Sequence, residues 1–432
     1  MRIPYLRWWI AGLLFMASVL NYVDRNAFSL LAPTIQKDLH LTDQDYANIQ
    51  VAFQVAYAIG LLLSGLVVDR LGSRKALALF VGWWSLASLS TSMAASTASL
   101  GVVMFLLGLG EAGNWTAAPK AVSEWFPARQ RGLAIGLYTA GTPIGMTLAP
   151  IVLIWLMGMA GWRATFVAMG LLGFVWIVPW LIMNRTVKTH PWLTQKERDW
   201  INIDTHPEAA GKPQEAGWTY GQALRRPEVW CLCLGRMLSD PVWFFYLIWY
   251  PKYLVSARGL TQVDVNITWV VFLAAGVGSM VGGWLASVFI KRGWTPPRAR
   301  LAVMFGCALC MPFSPLVAFS PTLAWSLTFA AVICFAHLAW LTNITSLIVD
   351  VVPGPSLGKV FGIVSAGSCV GAIVMNKLVA RLLEPDPITK LVQTGAYNKW
   401  YIIAAGLHLA VIPVLAWGVI RKQPQLNNTD SR

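Results

Sequence analysis

The sequence predicts an all-α polytopic membrane protein, with twelve transmembrane helices in two six-helix bundles. Three observations predict it. Hydrophobic residues make up 56% of the 432-residue chain and charged residues only 12%, about half the charged share of a soluble domain. The apolar residues form continuous runs of about 20 or more, enough to cross a hydrocarbon core about 30 Å thick. Such runs are not the short alternating strands of a β-barrel. Lys and Arg gather in alternate loops, the bias that orients a chain in a membrane. The net charge of +14 therefore reflects topology, and no nucleic-acid partner is expected.

The apolar segments fall near 8–35, 47–69, 76–95, 99–122, 132–157 and 163–183. Six more fall near 230–254, 266–289, 300–319, 322–347, 357–380 and 398–420. The first is too long for a cleavable signal peptide, contains charges and lacks a cleavage site. The longest polar stretch, 184–228, separates the two sets. It holds Arg185, Lys188, Lys196, Glu197, Arg198, Asp199, Asp204, Glu208, Lys212, Glu215, Arg225 and Arg226. This predicts a bundle at 1–183, a cytoplasmic linker at 184–228, a bundle at 229–422 and a cytoplasmic tail at 423–432.

Orientation follows from the basic loops. Arg70, Arg74 and Lys75 follow segment 2. Arg129 and Arg131 follow segment 4. Lys291, Arg292, Arg298 and Arg300 follow segment 8, and Arg421 and Lys422 follow segment 12. The loops at Ala95–Ala98 and Ser320–Pro321 carry no charge and are expected outside. The loop after segment 11 mixes Arg381 and Lys390 with Glu384 and Asp386. Both termini are expected in the cytoplasm. The six cysteines, Cys231, Cys233, Cys307, Cys310, Cys334 and Cys369, lie in apolar segments without a metal-ligand context. They read as inert thiols, and no metal or cofactor is expected.

The loop after segment 2 reads Gly65-Leu-Val-Val-Asp69-Arg70-Leu-Gly72-Ser-Arg74-Lys75. Its glycines permit close approach and a tight turn. Asp69 can accept from the start of a neighbouring helix, where the dipole favours an anion. The string resembles the signature loop of the major facilitator superfamily. A degenerate echo, Gly283-Trp-Leu-Ala-Ser287 with Lys291, Arg292 and Gly293, occupies the corresponding loop of the second half. The resemblance implies two bundles around a central cavity, lined by helices 1, 4, 7 and 10, with substrate near the bilayer midplane.

Polar residues out of place in apolar runs fall on those four segments. They are Asp24 and Arg25, Glu111 and Asn114, Arg236 and Asp240, and His337 and Asn343. Ionisable groups at such depth are costly and face a bundle interior or a water-filled path. Asn21, Asp24, Arg25 and Phe28 are spaced as one helical face. Asp24 and Arg25 differ by about 100° around the helix, so neither need neutralise the other. Glu111 has no basic neighbour in its own segment and is the stronger proton carrier, with Trp115 one turn later. Packing or ion pairing alone also accounts for Asp24 and Glu111. Arg236 and Asp240 have the spacing of a local ion pair. Pro241 is expected to kink its helix. The aromatic run around Trp243 suits a sugar ring but also suits apolar packing. His337 reads as a hydrogen-bonded structural histidine rather than a titrating one.

Four strings carry a narrower resemblance. They are Asn-Tyr-x-Asp-Arg in segment 1 and Gly-Leu-Gly-Glu-Ala-Gly-Asn-Trp in segment 4. In segment 7 the string is Asp-Pro-Val-Trp-x-Phe-Tyr-x-x-Trp-x-Pro-Lys-Tyr-Leu, and in segment 10 it is His-x-x-Trp-x-x-Asn. They resemble the anion:cation symporters of that superfamily, bacterial hexuronate transporters above all. The resemblance implies proton-driven uptake of galacturonate, glucuronate or a related sugar acid. It puts proton coupling on Asp24 and Glu111. It puts substrate contacts on Arg25, Tyr57, Trp340 and Asn343, to which Asn114, Trp115, Arg236 and Trp243 are added as neighbours. Where the family commonly keeps an Arg two turns before the glutamate, this chain has Met104. That shifts the substrate carboxylate onto Arg25, with Arg236 as a possible helper.

The expected protein is thus a bacterial inner-membrane symporter, not an enzyme. Its partners are a small organic anion, protons and membrane lipids, and it acts as a monomer. A uniporter or exporter of another organic acid or neutral compound is the alternative, favoured by Met104. A membrane-bound enzyme or receptor is disfavoured. The sequence offers no nucleophile–base set, metal cluster or soluble sensory domain.

Overall fold

A computed structural model of the chain describes residues 3–205, 217–260, 267–383 and 395–420. Glu208, Lys212, Glu215, Glu384, Asp386, Lys390, Arg421, Lys422 and the tail 423–432 lie outside the described residues. The described elements are helices. Helix α1 spans Leu6–Leu39, and α2 spans Asp43–Thr91 behind a capping box of Thr42 and Asp45. Helices α3, Thr97–Glu111, and α4, Asn114–Trp125, share the fourth apolar segment, and α5 spans Ala128–Met183.

Two of these helices are too long for one crossing. Helix α2 has 49 residues and α5 has 56, whereas one crossing takes about 20. Each is interrupted at a single glycine with positive φ, Gly72 at 74° and Gly161 at 80°. A side chain there would meet its own backbone, so glycine is the residue that turns the chain back. Each helix therefore holds two of the expected segments. Among the described residues, ten helices are long and apolar enough to cross a membrane. With α2 and α5 each counted as two, they account for the twelve segments.

The linker holds α6, Gln195–Thr205, and the short α7, Tyr220–Leu224. Then follow α8, Pro227–Ile248, and α9, Tyr250–Arg258. The expected kink at Pro241 is not where the seventh segment is interrupted. Helix α8 runs through Pro241, and the break falls at Trp249. Pro251 explains it, because its ring nitrogen has no hydrogen for the carbonyl one turn back, so a new helix starts there. Helix α10 spans Trp269–Lys291, and α11 spans Pro296–Ala308. The ninth segment continues past Pro312 as α12, Ser314–Phe319, with Pro315 in its first turn. Helices α13, Leu323–Val351, α14, Leu357–Leu382, and α15, Ala396–Ile420, complete the chain.

The chain divides into two compact units. One is Met1–Trp218 with Val352–Gly362, and the other is Thr219–Val351 with Ile363–Arg432. In the first unit α1 lies along α5 and α2 along α3. The α2–α3 approach is close. A Cβ on Gly108 would stand 2.5 Å from the Phe53 carbonyl oxygen and 3.2 Å from the Tyr57 nitrogen. In the second unit α10 lies along α13 and α8 along α15.

Candidate functional site

The break in the fourth segment builds the site of the first unit. Gly108, Gly110 and Gly113 weaken the helix there, and α3 stops at Glu111 while α4 starts at Asn114. A continuous helix would give the Glu111 carbonyl to the Trp115 N–H. Instead the Asn21 side-chain amide of α1 donates to that carbonyl at 3.4 Å. No water reaches such a group in a bilayer core, so a protein donor must serve it.

Arg25, one turn after Asn21, donates its Nε to Glu111 Oε2 at 2.9 Å. The Glu111 side chain is fully buried and that of Arg25 is 23% exposed. The guanidinium lies over the Tyr57 ring at 4.4 Å and the Tyr22 ring at 4.9 Å. Aromatic faces attract a cation in such a desolvated place. Arg25 Nη2, Glu111 Oε1, Asn21 Oδ1 and Asn114 Oδ1 are buried without a hydrogen-bond partner. The cluster is short of donors, with three open oxygens for one open nitrogen.

Asp24 faces another way. It accepts from the Ser88 hydroxyl at 3.1 Å, and that hydroxyl also lies 3.3 Å from the Phe166 carbonyl. The single face expected of Asn21, Asp24 and Arg25 is thus two faces. Asn21 and Arg25, four apart, both reach Glu111, and Asp24 is turned about 100° away. Asn114 donates to Ser18 at 3.3 Å, and Trp115 meets Tyr22 edge-on at 6.4 Å. Asp24, Arg25, Tyr57, Glu111, Asn114 and Trp115 are therefore gathered in one unit. Met104 is buried in α3.

In the second unit Arg236 makes the local ion pair. Its Nε donates to Asp240 Oδ2 at 2.6 Å, and Asp240 also accepts from Ser239 and Ser368. Trp243 stacks on His337 with centroids 6.1 Å apart. Trp340 and Asn343 are fully buried. Asn343 gives its amide to the Gly282 and Ala339 carbonyls at 3.0 and 2.8 Å, and Trp340 meets His408 at 4.8 Å. His337 is hydrogen-bonded, through Nδ1 to His408 Nε2 at 3.0 Å.

Sequence reading missed Ser88, Ser18, Ser368 and His408. His408 carried a usable signal, a lone ring nitrogen pair in the last apolar run. The three serines carried none, because serine is common in apolar helices.

The signature loop is anchored by Asp69. It accepts the N–H groups of Gly358 and Lys359, in the first turn of α14, at 3.0 and 3.2 Å. Lys359 Nζ at 2.8 Å and Lys120 Nζ at 3.1 Å complete its shell. Gly65 lies against the Gly358 backbone, with no room for a Cβ. Arg74 donates to the Leu181 carbonyl at 2.8 Å, while Arg70 and Lys75 are exposed. In the linker, His190 is buried against Trp125 and Trp192.

The sequence profile of the Major Facilitator Superfamily matches residues 14–375. The chain is 33% identical over 293 residues to the galacturonate transporter of Dickeya chrysanthemi, covering 67% of this chain and 84% of that one. It is 28% identical over 430 residues to the hexuronate transporter of Escherichia coli strain K12, covering 98% and 96%. Among solved structures, the proton:xylose symporter XylE has the same fold, with a TM-score of 0.68, 13% identity and 95% of each chain covered.

Proposed function

The chain belongs to the Major Facilitator Superfamily, and we propose that it imports a hexuronate or related sugar-acid anion together with protons. The observation that carries this reading is the Arg25–Glu111 contact at 2.9 Å, which leaves Arg25 Nη2 and Glu111 Oε1 open. The named relatives supply the substrate class.

The chemistry runs as follows. A proton on Glu111 Oε1 cancels the carboxylate charge that holds Arg25 and adds a donor to a donor-poor cluster. The guanidinium is then free to take the substrate carboxylate, which its planar fork matches. Without that proton, Glu111 and the substrate compete for the same cation. Anion loading and proton loading are thereby linked. Asp24, bonded to Ser88 rather than to Arg25, accepts a second proton. Tyr57, beneath the same guanidinium, and Asn114 and Trp115, one turn beyond Glu111 in sequence, take the sugar ring and hydroxyls. Arg236, Trp243, Trp340 and Asn343 serve from the second unit as it alternates. The protein works as a monomer in the bacterial inner membrane with both termini in the cytoplasm.

Uptake into proteoliposomes tests this. A pH gradient, acid outside, is expected to drive galacturonate or glucuronate accumulation, and no gradient-driven uptake of either sinks the proposal. A second reading, transport of another organic acid or neutral compound without proton coupling, is favoured by Met104 and by the engagement of Arg25 with Glu111. Thermal stabilisation across sugar acids, aromatic acids and neutral sugars separates the two.

A further inference from the structure

We propose that His337 and His408 form a second proton-carrying site, which passes a proton through the interior of the second unit. The proposal rests on the symport reading above. It starts from the 3.0 Å contact between His337 Nδ1 and His408 Nε2. One of those nitrogens must carry the hydrogen and the other the lone pair. The outer atoms follow from that choice. If His337 Nδ1 donates, His337 Nε2 is a lone pair and His408 Nδ1 is an N–H. In the other tautomer the roles are exchanged.

Most buried side-chain polar atoms have a hydrogen-bond partner. Here both rings are buried, and neither His337 Nε2 nor His408 Nδ1 has a hydrogen-bond partner among the described residues. The pair therefore has one free acceptor at one end and one free donor at the other. A proton arriving at His337 Nε2 makes that ring a cation. Its Nδ1 proton then crosses to His408 Nε2, and the Nδ1 proton of His408 leaves. One proton enters, one leaves, and the pair is neutral again as the opposite tautomer.

Two indole rings lie beside the pair. The His337 ring is stacked on Trp243 with an interplanar angle of 7°, and His408 lies 4.8 Å from Trp340. Indole faces attract a cation most strongly of the aromatic side chains. The charged groups acting on the rings come from α8: Arg236 repels a charge on His337, Asp240 attracts one on His408, and the two are themselves joined at 2.6 Å. Phe272 of α10 closes the far side of Trp243. The arrangement differs from the Asp24–Glu111 cluster in using neutral carriers, so no ionised group need be desolvated at rest.

The test uses the full chain in proteoliposomes and the substitutions His337→Asn and His408→Gln. Each keeps an amide near the facing nitrogen, but an amide cannot pass a proton through itself. Accumulation driven by a pH gradient is expected to be lost while exchange at equal pH falls far less. Accumulation at the native level in both variants overturns the proposal. Native protein without any gradient-driven uptake would instead fail the symport reading. A second measurement covers variants that do not fold. The chain has five histidines, so 15N-histidine NMR of the native protein resolves the pair. Exchange between the two tautomers supports the relay, and two rings locked in single tautomers reject it.

Discussion

Arg25 and Glu111 meet at 2.9 Å across two helices, while Asp24, the neighbour of Arg25 in sequence, bonds a serine instead. The two carboxylates thus have opposite environments, one beside a cation and one beside a neutral hydroxyl. Substitutions at them should have opposite effects.

Glu111→Ala leaves the Arg25 guanidinium without its anion. Removing one partner of a buried pair costs about 3–5 kcal/mol, and the partial exposure of Arg25 favours the low end. Thermal unfolding of the purified protein should show the loss. The double variant Arg25→Leu with Glu111→Leu should recover most of it, because the uncompensated charge is gone. A double variant as unstable as the single one would mean that the pair does not hold α1 to α3.

Asn21→Leu tests the helix break. The substitution keeps the volume but removes the donor to the Glu111 carbonyl. A buried carbonyl left without a partner costs about 1–3 kcal/mol. The unfolding midpoint should drop accordingly, and Asn21→Gln should restore part of it. Equal stability of Asn21→Leu and the native chain would show that the carbonyl finds another donor.

The linker should loosen in acid through His190. Its Nε2 lies 2.9 Å from the Met183 carbonyl, and its Nδ1 accepts the Trp192 N–H at 3.2 Å. The ring is therefore neutral with its hydrogen on Nε2. Burial first, and then Arg185 and Arg198, hold its pKa below the ordinary 6.5. The unfolded chain then binds more protons than the folded one, so stability rises with pH. The contribution is complete above about 6.5 and is lost as pH falls from there through the lower folded value. Unfolding midpoints measured from pH 7.5 down to about 5 should fall more steeply in the native chain than in His190→Gln. Parallel curves would exclude the ring as the cause.

Much of this was legible because charge in an apolar run is rare. Asp24, Arg25, Glu111 and Asp240 stood out by composition alone. So did Asp69 as an acceptor at a helix start, since glycine and acid spacing mark a turn. The partners were not legible, because a hydropathy run carries no information on how one helix is rotated against another. The i, i+3 spacing puts Asn21 and Asp24 on one face for that reason, whereas the structure gives them different partners. Hydropathy is also blind to the gap at Ala112–Gly113, where the residues stay apolar while the helical hydrogen-bond ladder is interrupted. Two prolines stood in the seventh segment, and the sequence does not rank them. The structure breaks at Trp249, just before Pro251, which sits in the first turn of α9, whereas Pro241 stays within α8.

Asp24→Asn supplies the sharpest contrast. Asp24 is 2% exposed, and its hydrogen-bond partner is the Ser88 hydroxyl. An ion taken from water without a cation costs several kcal/mol after relaxation. A protonated Asp24 avoids that cost, and an asparagine avoids it permanently with the same shape and a donor that Ser88 can accept. Asp24→Asn should therefore unfold at the native temperature or above it, whereas Glu111→Ala unfolds below. Transport should show the reverse of this tolerance. A group that cannot lose its hydrogen cannot cycle between loaded and empty, so gradient-driven accumulation should vanish in the stable variant. Loss of stability in Asp24→Asn would mean that the native carboxylate is ionised and held by a cation, and its role as a second proton carrier would fall.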